Sequence, residues 1–561
     1  MQHQESRKTR IIATLGPSSR NEENICALLR QGVNIFRLNF SHGSHEEHME
    51  NIRRIRKVAA SMGLEPGILL DLQGPKIRIG TIENEGVLLE KDASITFTGE
   101  KITGDKERVP ISYHRLGQEV KPGGRILLDD GLLEVIVQKI EDNDVCCRVI
   151  TGGLLKPGKG VNLPNASLSI SPITEKDRQD LFFGIDCGVD FIALSFVRTS
   201  VEVASLKKMI HQFGKRIPVI AKIEKGEAVD NIDSIIDAAD AIMVARGDLG
   251  VETTPEMVPL YQKMIVEKCG IAGKPVIIAT QMLDSMIKNP GPTRAEATDV
   301  ANAVFSGADA VMLSGETAAG DYPLKAVAMM DRIVRNTEQV TYKKGHFRHE
   351  TGYGVTGIVD ATAFSIADMA ERLEAKYIIA FTYSGKTARI LSKYRTSVPV
   401  VAMTHNIQVM RQLSLYWGVE CLPVREAHST DEVMEIARIR LLELGLVNPM
   451  DTVIISTGVP LHAAGTTNMV RVMQFPQERE AEIVGEQTVN GKEFEWIIDK
   501  NQCIHCDLCS SICSCDIFKT TRNSIELNRD KLKDCYFDLQ CTYSCPVSAI
   551  TIRPVKGDAK E

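Results

Sequence analysis

The chain has 561 residues, 43% of them hydrophobic, with 66 Lys and Arg against 73 Asp and Glu for a formal net charge of −7. That length predicts roughly three or four domains, and the acidic balance argues against a general nucleic-acid binder. No run approaches the roughly 18 apolar residues of a membrane helix, and the opening MQHQESRKTR has no apolar signal core, so the sequence predicts a cytoplasmic chain without a membrane partner.

In chain order, apolar runs of strand length stand at 11–16 (IIATLG), 34–41 (NIFRLNFS), 67–74 (GILLDLQG), 191–197 (FIALSFV), 219–224 (VIAKIE), 241–248 (AIMVARGD), 276–282 (VIIATQM) and 310–316 (AVMLSGE). They are nearly continuous hydrophobe, as expected where both faces are covered. Stretches of helical character such as EENICALLRQG and TEKDRQDLFFGIDCG lie between them. Eight β-α units predict an α/β protein built on a (β/α)8 TIM barrel, over 1–74 and 171–340, each run ending in a polar residue at the catalytic end. The long gap between the third and fourth runs calls for an inserted domain, 75–170. Its short β-like stretches SITFTG, RILLDDGLLEVIV and VCCRVI predict a small β-barrel or meander. Residues 341–476 alternate again (YIIAFTYSG, VPVVAMTH, GVECLPV, TVIISTGVP) as a separate α/β domain. Residues 477–495 read as a polar linker and 496–561 as a cysteine-rich unit.

The most informative stretch is PVIAKIEKGEAVDNIDSIIDAADAIMVARGDLGVE, where one strand stops on Lys222 and Glu224 and the next on Arg246 and Asp248. Two carboxylates from neighbouring strands suit Mg²⁺ (or Mn²⁺), and Lys222 is placed to neutralise charge on a transferring phosphoryl group or an enolate. A surface salt-bridge cluster is the plain alternative.

The ordered strings RLNFSHG, LDLQGPKIRIG, KGVNLP, SFVR, KIE with RGDLGVE, IIATQMLDSM, PTRAEATDVANAV and MLSGETAAGDYP resemble pyruvate kinase, colinearly from about residue 7 to 475. The resemblance implies transfer of the phosphoryl group of phosphoenolpyruvate to ADP, giving pyruvate and ATP, in a homotetramer. It implies Glu224 and Asp248 as metal carboxylates, Lys222 against the phosphoryl group and Arg37 as its fork donor. Ala245, Arg246 and Gly247 would form a turn toward the substrate carboxylate, with Thr280 and Ser314 near the enolate face. Those two hydroxyls read equally as helix-capping residues. His42, Arg78, Asp130 and Lys159 fall on the nucleotide and lid side. The resemblance also implies a monovalent-cation site at Asn39, Ser41, Asp71 and Leu72, with Lys76 replacing the cation's charge so that K⁺ is not required; a solvated surface lysine is the plain alternative. A different Mg²⁺ barrel enzyme, an enolpyruvate lyase or aldolase, and an idle barrel serving as an electron-transfer scaffold are the alternatives.

In the third domain, Thr382, Ser384, Gly385, Lys386 and Thr387 follow a strand and precede ARILSKYR, which reads as an anion site or a plain capping turn. The resemblance makes it the loop for a phosphorylated allosteric effector. The tail departs from the family. Cys503, Cys506, Cys509 and Cys513 have the spacing of bacterial ferredoxins, and FEWIIDKNQC and PVSAITI resemble the two ends of that α+β fold. One 4Fe–4S cluster would take Cys503, Cys506, Cys509 and Cys545; a second would take Cys513, Cys535, Asp538 and Cys541. Zinc and a degenerate second site are the alternatives. The role expected is redox regulation or electron transfer with a redox partner. The other six cysteines (Cys26, Cys146, Cys147, Cys187, Cys269, Cys421) read as reduced core residues.

Overall fold

Eight parallel strands close into a barrel in chain order: Arg10–Thr14, Ile35–Asn39, Gly67–Asp71, Phe191–Leu194, Val219–Ile223, Ala241–Ala245, Val276–Ala279 and Ala310–Leu313. Only Arg37 and Asn39 among these residues are not fully buried, which is why the strands read as unbroken hydrophobe. The barrel expected from the sequence is therefore present, strand for strand. The computed structural model describes residues 7–164, 169–341, 357–461, 467–475, 482–489, 492–499, 503, 506, 508–521, 524–535, 540–545 and 549–554. They divide into two units, Met1–Val447 with Asp451–Gln474, and Asn448–Met450 with Phe475–Glu561.

The helices between strands are fixed by their own sequence. His45–Ser61, Glu175–Cys187 and Arg294–Ser306 each begin on a reciprocal capping pair, Ser44 with Glu47, Thr174 with Asp177 and Thr293 with Glu296. The latter two stop at left-handed glycines, Gly188 and Gly307. Their apolar faces and the outer faces of the strands form one core, including Ile25, Phe36, Leu181, Ile223 and Val304.

The insert leaves the barrel past Gly74, which sits at φ 70° where a Cβ would come within 3.0 Å of Ser195 and Phe196 side-chain atoms. It holds a six-stranded sheet, in the order Val161–Asn162, Arg125–Leu128, Leu133–Glu141, Asp144–Thr151, Ser94–Thr98, Arg108–Pro110. A ribbon of Val87–Leu89 and Gly153–Leu155 accompanies it. Single bridges, Arg78 to Gly160 and Ile79 to Ile111, join the two outer sides of this sheet. The outer strands, one of two residues and one ending in Pro110, are too short for a continuous ladder.

The α/β domain has a five-stranded sheet in the order Val419–Pro423, Val400–Thr404, Tyr377–Phe381, Thr452–Gly458, Thr467–Gln474. The first four strands are parallel and the last, which the sequence reading had not singled out, is antiparallel. Ile378, Leu413 and Tyr416 join Ile12, Leu69, Phe191 and Ile277 in one core, so this domain closes the barrel's amino-terminal end and leaves the opposite end for chemistry.

In the second unit Glu482–Val489, Lys492–Ile498 and Ile550–Pro554 form an antiparallel sheet, with a hairpin of Phe518–Thr521 and Ser524–Leu527 and short helices Leu508–Ile512 and Gln540–Tyr543. The linker expected at 477–495 is thus corrected: its polar composition masks a hairpin, for which Asn490-Gly491 is the sequence signal. Among the described residues no helix is long and apolar enough to cross a membrane.

Candidate active site

Strand register brings the first group of polar residues together. Asn39 lies beside Asp71, and Asp71 beside Ala193, all at the carboxyl ends of their strands. Asp71 is 1% exposed and both its oxygens are engaged: Oδ2 accepts from Arg37 Nε at 2.7 Å, and Oδ1 lies 3.2 Å from Lys222 Nζ. Burial alone would raise this carboxyl, but Lys222 and Arg37 outweigh it and hold it below the usual range. Arg37 also donates to Thr14 Oγ1 at 3.1 Å. Lys222 donates to Ser195 Oγ at 2.8 Å and pairs with Glu224 Oε1 at 2.9 Å. Burial works against its charge, yet Asp71 and Glu224 raise its pKa, so it stays protonated. Ser195 and Thr14 were not picked out from the sequence; each is a polar residue ending a barrel strand, the signal that would have found it.

Glu224 is 1% exposed, and its Oε2 accepts from the Phe196 amide at 2.6 Å, where Phe196 adopts φ 53°. Burial raises the Glu224 carboxyl; Lys222 opposes this and the charge of Asp248 raises it again. Two carboxylates that repel each other at a partly open strand end fit a hard dication, which takes one or two of them and fills its other positions with water and substrate oxygens. Asp248 is also met by Lys76 Nζ at 3.8 Å. Among the described residues no ion pair joins Lys76 to Asp71.

A second group lies at the next strand ends. Gly247 N, two residues after Ala245, donates to Thr280 Oγ1 at 2.8 Å, and Arg246 is held by Asp299 at 2.6 Å and by the Thr280 carbonyl at 2.8 Å. Thr280 and Gln281 sit at φ 69° and 52°. A β-branched residue in that region carries strain on the order of 1–3 kcal/mol, a mark of functional turns. The Ser314 amide donates to Glu316 Oε2 at 2.7 Å, and Glu316 is itself raised by burial against its backbone hydrogen bonds.

The other expected residues make contacts of their own. Asn39 Oδ1 accepts from the Ser41 amide at 3.2 Å, the His42 carbonyl meets His48, and the Leu72 carbonyl accepts from Ser195 Oγ at 2.7 Å. Arg78 donates to the Gly158 carbonyl at 3.0 Å, and Lys159 pairs with Asp129 at 2.8 Å rather than with Asp130. Asp130 is exposed; its Oδ1 and the Lys76 side chain both flank Gly160.

In the α/β domain Gly385 adopts φ 80° and donates to Thr382 Oγ1 at 2.9 Å, opening the helix Lys386–Lys393. Thr382, Ser384, Lys386 and Thr387 line a cavity with His405 and Thr457.

In the second unit, Cys509 and Cys541 are buried against Trp496, Phe518 and Ile525. Burial, then the neighbouring Cys503 and Cys506, pushes the Cys509 thiol up to about 11; burial, then Cys535 and Cys513, pushes Cys541 up to about 12. Cys545 Sγ accepts from the Ala549 amide at 3.2 Å. Asp538 lies outside the described residues, and among those described no three His, Cys, Asp or Glu side chains converge to hold a metal ion.

Residues 6–327 match the family described as pyruvate kinase, barrel domain, and residues 360–473 match pyruvate kinase, alpha/beta domain. A pyruvate kinase of Geobacillus stearothermophilus is 45% identical over 469 residues, 83% of this chain and 80% of that protein. One of Clostridium acetobutylicum is 44% identical over 468 residues, 83% of this chain and 99% of that protein, so the cysteine-rich unit is additional to it. A crystal structure of a pyruvate kinase from Cryptosporidium parvum superposes with a TM-score of 0.78 at 38% identity, over 84% of this chain and 96% of that one.

Proposed function

The chain belongs to the pyruvate kinase family and is an enzyme of that kind, using phosphoenolpyruvate and ADP or ATP, and on that premise we propose which of its residues do the work. Lys222, Arg37, Glu224 and Asp248 carry the transfer step. The observation behind this is the single buried carboxylate of Asp71 holding Lys222 and Arg37 at one strand end. Arg37, gripped through Nε and Nη1, keeps its remaining N–H donors for a phosphate. Lys222 offers a fixed positive charge that needs no reorganisation as the phosphoryl group passes.

Glu224 and Asp248 would hold Mg²⁺ (or Mn²⁺), which when bound supplies charge neutralisation on the phosphoryl and enolate oxygens. The Ala245–Gly247 turn would orient the substrate carboxylate, and Thr280 and Ser314 would stand near the enolate where a proton must arrive. His42, Arg78, Asp130 and Lys159 would meet the nucleotide, with the inserted sheet as a lid that excludes water. Lys76 would supply the charge that a monovalent cation gives other members at Asn39, Ser41, Asp71 and Leu72. Its 3.8 Å approach to Asp248 supports a place inside the site. The lyase reading is not favoured, because the family match covers both the barrel and the α/β domain.

The cavity at Thr382–Thr387 supports a phosphorylated effector, and the family resemblance supports a homotetramer. For the tail, the ferredoxin-like spacing of Cys503, Cys506, Cys509 and Cys513, followed by Cys535, Cys541 and Cys545, supports one or two 4Fe–4S clusters of redox-regulatory or electron-transfer role. Free thiols at the six other cysteines suit the proposed cytoplasmic setting. The roles are tested by steady-state kinetics of Lys222→Met with phosphoenolpyruvate, ADP and Mg²⁺: a collapse of turnover supports them, and wild-type turnover refutes them.

A further inference from the structure

Glu252 ends the helix Arg246–Glu252, the same helix that carries Asp248 in its first turn. Its two carboxylate oxygens face different parts of the chain. Oε1 accepts from Asn162 Nδ2 at 2.8 Å, while Oε2 pairs with Lys225 Nζ at 3.0 Å. Asn162 belongs to the two-residue edge strand of the inserted sheet, and Lys225 directly follows Glu224. The side chains of Glu252 and Lys225 are only 4% and 12% exposed, and Asn162 is buried as well. A cavity beside them is lined by Lys76, Leu163, Phe196 and Arg198, so the contact is a seam between insert and barrel rather than a solid core. Arg198 closes that seam from the other side by donating to the Ile170 carbonyl at 2.9 Å, where the insert returns to the barrel.

A buried carboxylate with a donor on each oxygen is satisfied only while both donors are present; losing one leaves a desolvated acceptor open. Lifting the inserted sheet away takes Asn162 from Glu252, which frees Oε1 to compete for Lys225 or for solvent. Lys225 is one residue from Glu224, and Glu252 is one helical turn from Asp248. The two carboxylates proposed for the metal are therefore tied, through one side chain, to the seating of the insert.

We infer that Glu252 is a positioning residue that couples docking of the inserted sheet to the placement of Glu224 and Asp248, so that the divalent-cation site is complete only with the insert seated. This rests on reading Glu224 and Asp248 as the metal carboxylates. Outer partners that orient metal-binding side chains typically contribute about 10–100-fold in affinity.

The test is Mn²⁺ binding to the full chain without substrates, followed by electron paramagnetic resonance, together with hydrogen exchange at Val161–Leu163. Asn162→Asp sets two carboxylates against each other and should weaken Mn²⁺ by roughly tenfold while speeding exchange at the strand. Adding Glu252→Gln should restore both readouts, since the amide N–H₂ can donate to the new carboxylate and its carbonyl can accept from Lys225. A role in packing alone would leave Mn²⁺ affinity unmoved. Should Asn162→Asp fail to fold, Asn162→Ala removes the donor without adding charge and should shift both readouts in the same direction. Glu224→Gln is the control: wild-type Mn²⁺ binding there overturns the metal assignment. Loss of Mn²⁺ in Glu224→Gln with wild-type affinity in the Asn162 variants overturns the coupling and leaves the metal assignment standing. Equal weakening in Asn162→Asp and in the double variant also overturns it.

Discussion

Lys222 Nζ lies 3.2 Å from Asp71 Oδ1, on a carboxylate that is 1% exposed and whose other oxygen is held by Arg37. Asp71 is therefore the counter-charge that lets two cations be buried side by side at the end of the barrel. Removing one partner of such an arrangement leaves uncompensated buried charge, which costs about 3–5 kcal/mol.

Asp71→Asn should accordingly lower the thermal midpoint at neutral pH and reduce turnover as Lys222 and Arg37 lose their anchor. The folded pKa of Asp71 is depressed, so its contribution is fully present above the unfolded value of about 4 and is lost as pH falls through the folded value. Calorimetry against pH should show the gap between wild type and variant closing only in strong acid. A gap that widens with acidification would contradict the pairing.

Glu224→Gln and Asp248→Asn should each cut turnover by about 10²–10³-fold with the fold retained, since each removes charge required in the transition state. Circular dichroism and kinetics at saturating Mg²⁺ check this. Near-normal turnover in either variant would displace the metal from these two residues.

Wild-type activity should be the same in K⁺ and in a large organic cation at equal ionic strength, because Lys76 carries the charge. Lys76→Glu should create a K⁺ requirement. Strong K⁺ activation of the wild type would remove Lys76 from that role.

Anaerobically purified protein should carry iron and acid-labile sulfide, and two clusters with Asp538 on one iron should release a 3Fe–4S signal after mild oxidation, because a carboxylate holds iron less firmly than thiolate. Asp538→Cys should suppress that signal. Close to four irons per chain in both proteins, with no 3Fe signal, would reduce the tail to one cluster, and absence of iron would remove both.

The barrel strands and their polar carboxyl ends were legible because burial on both faces writes unbroken hydrophobe that stops abruptly at charge, as at Lys222 and Asp248. The partnerships were not. That Asp71 joins Arg37 to Lys222, or that Asn162 reaches Glu252 across 90 positions, depends on register and on how an insert is seated, which no local pattern encodes. The paired strands Glu482–Val489 and Lys492–Ile498 hid behind polar composition, although the sequence between them carries the Asn-Gly signal of a hairpin. The closure of the inserted sheet by single bridges at Arg78 and Ile79 likewise has no strand-length signal.

The most direct test of the central claim is phosphorylation of ADP by phosphoenolpyruvate with Mg²⁺, comparing wild type with Lys222→Met. The wild type should form pyruvate and ATP robustly, and the variant should lose about 10²–10³-fold in turnover with its fold intact. Equal rates in the two proteins would contradict the placement of the phosphoryl group against Lys222.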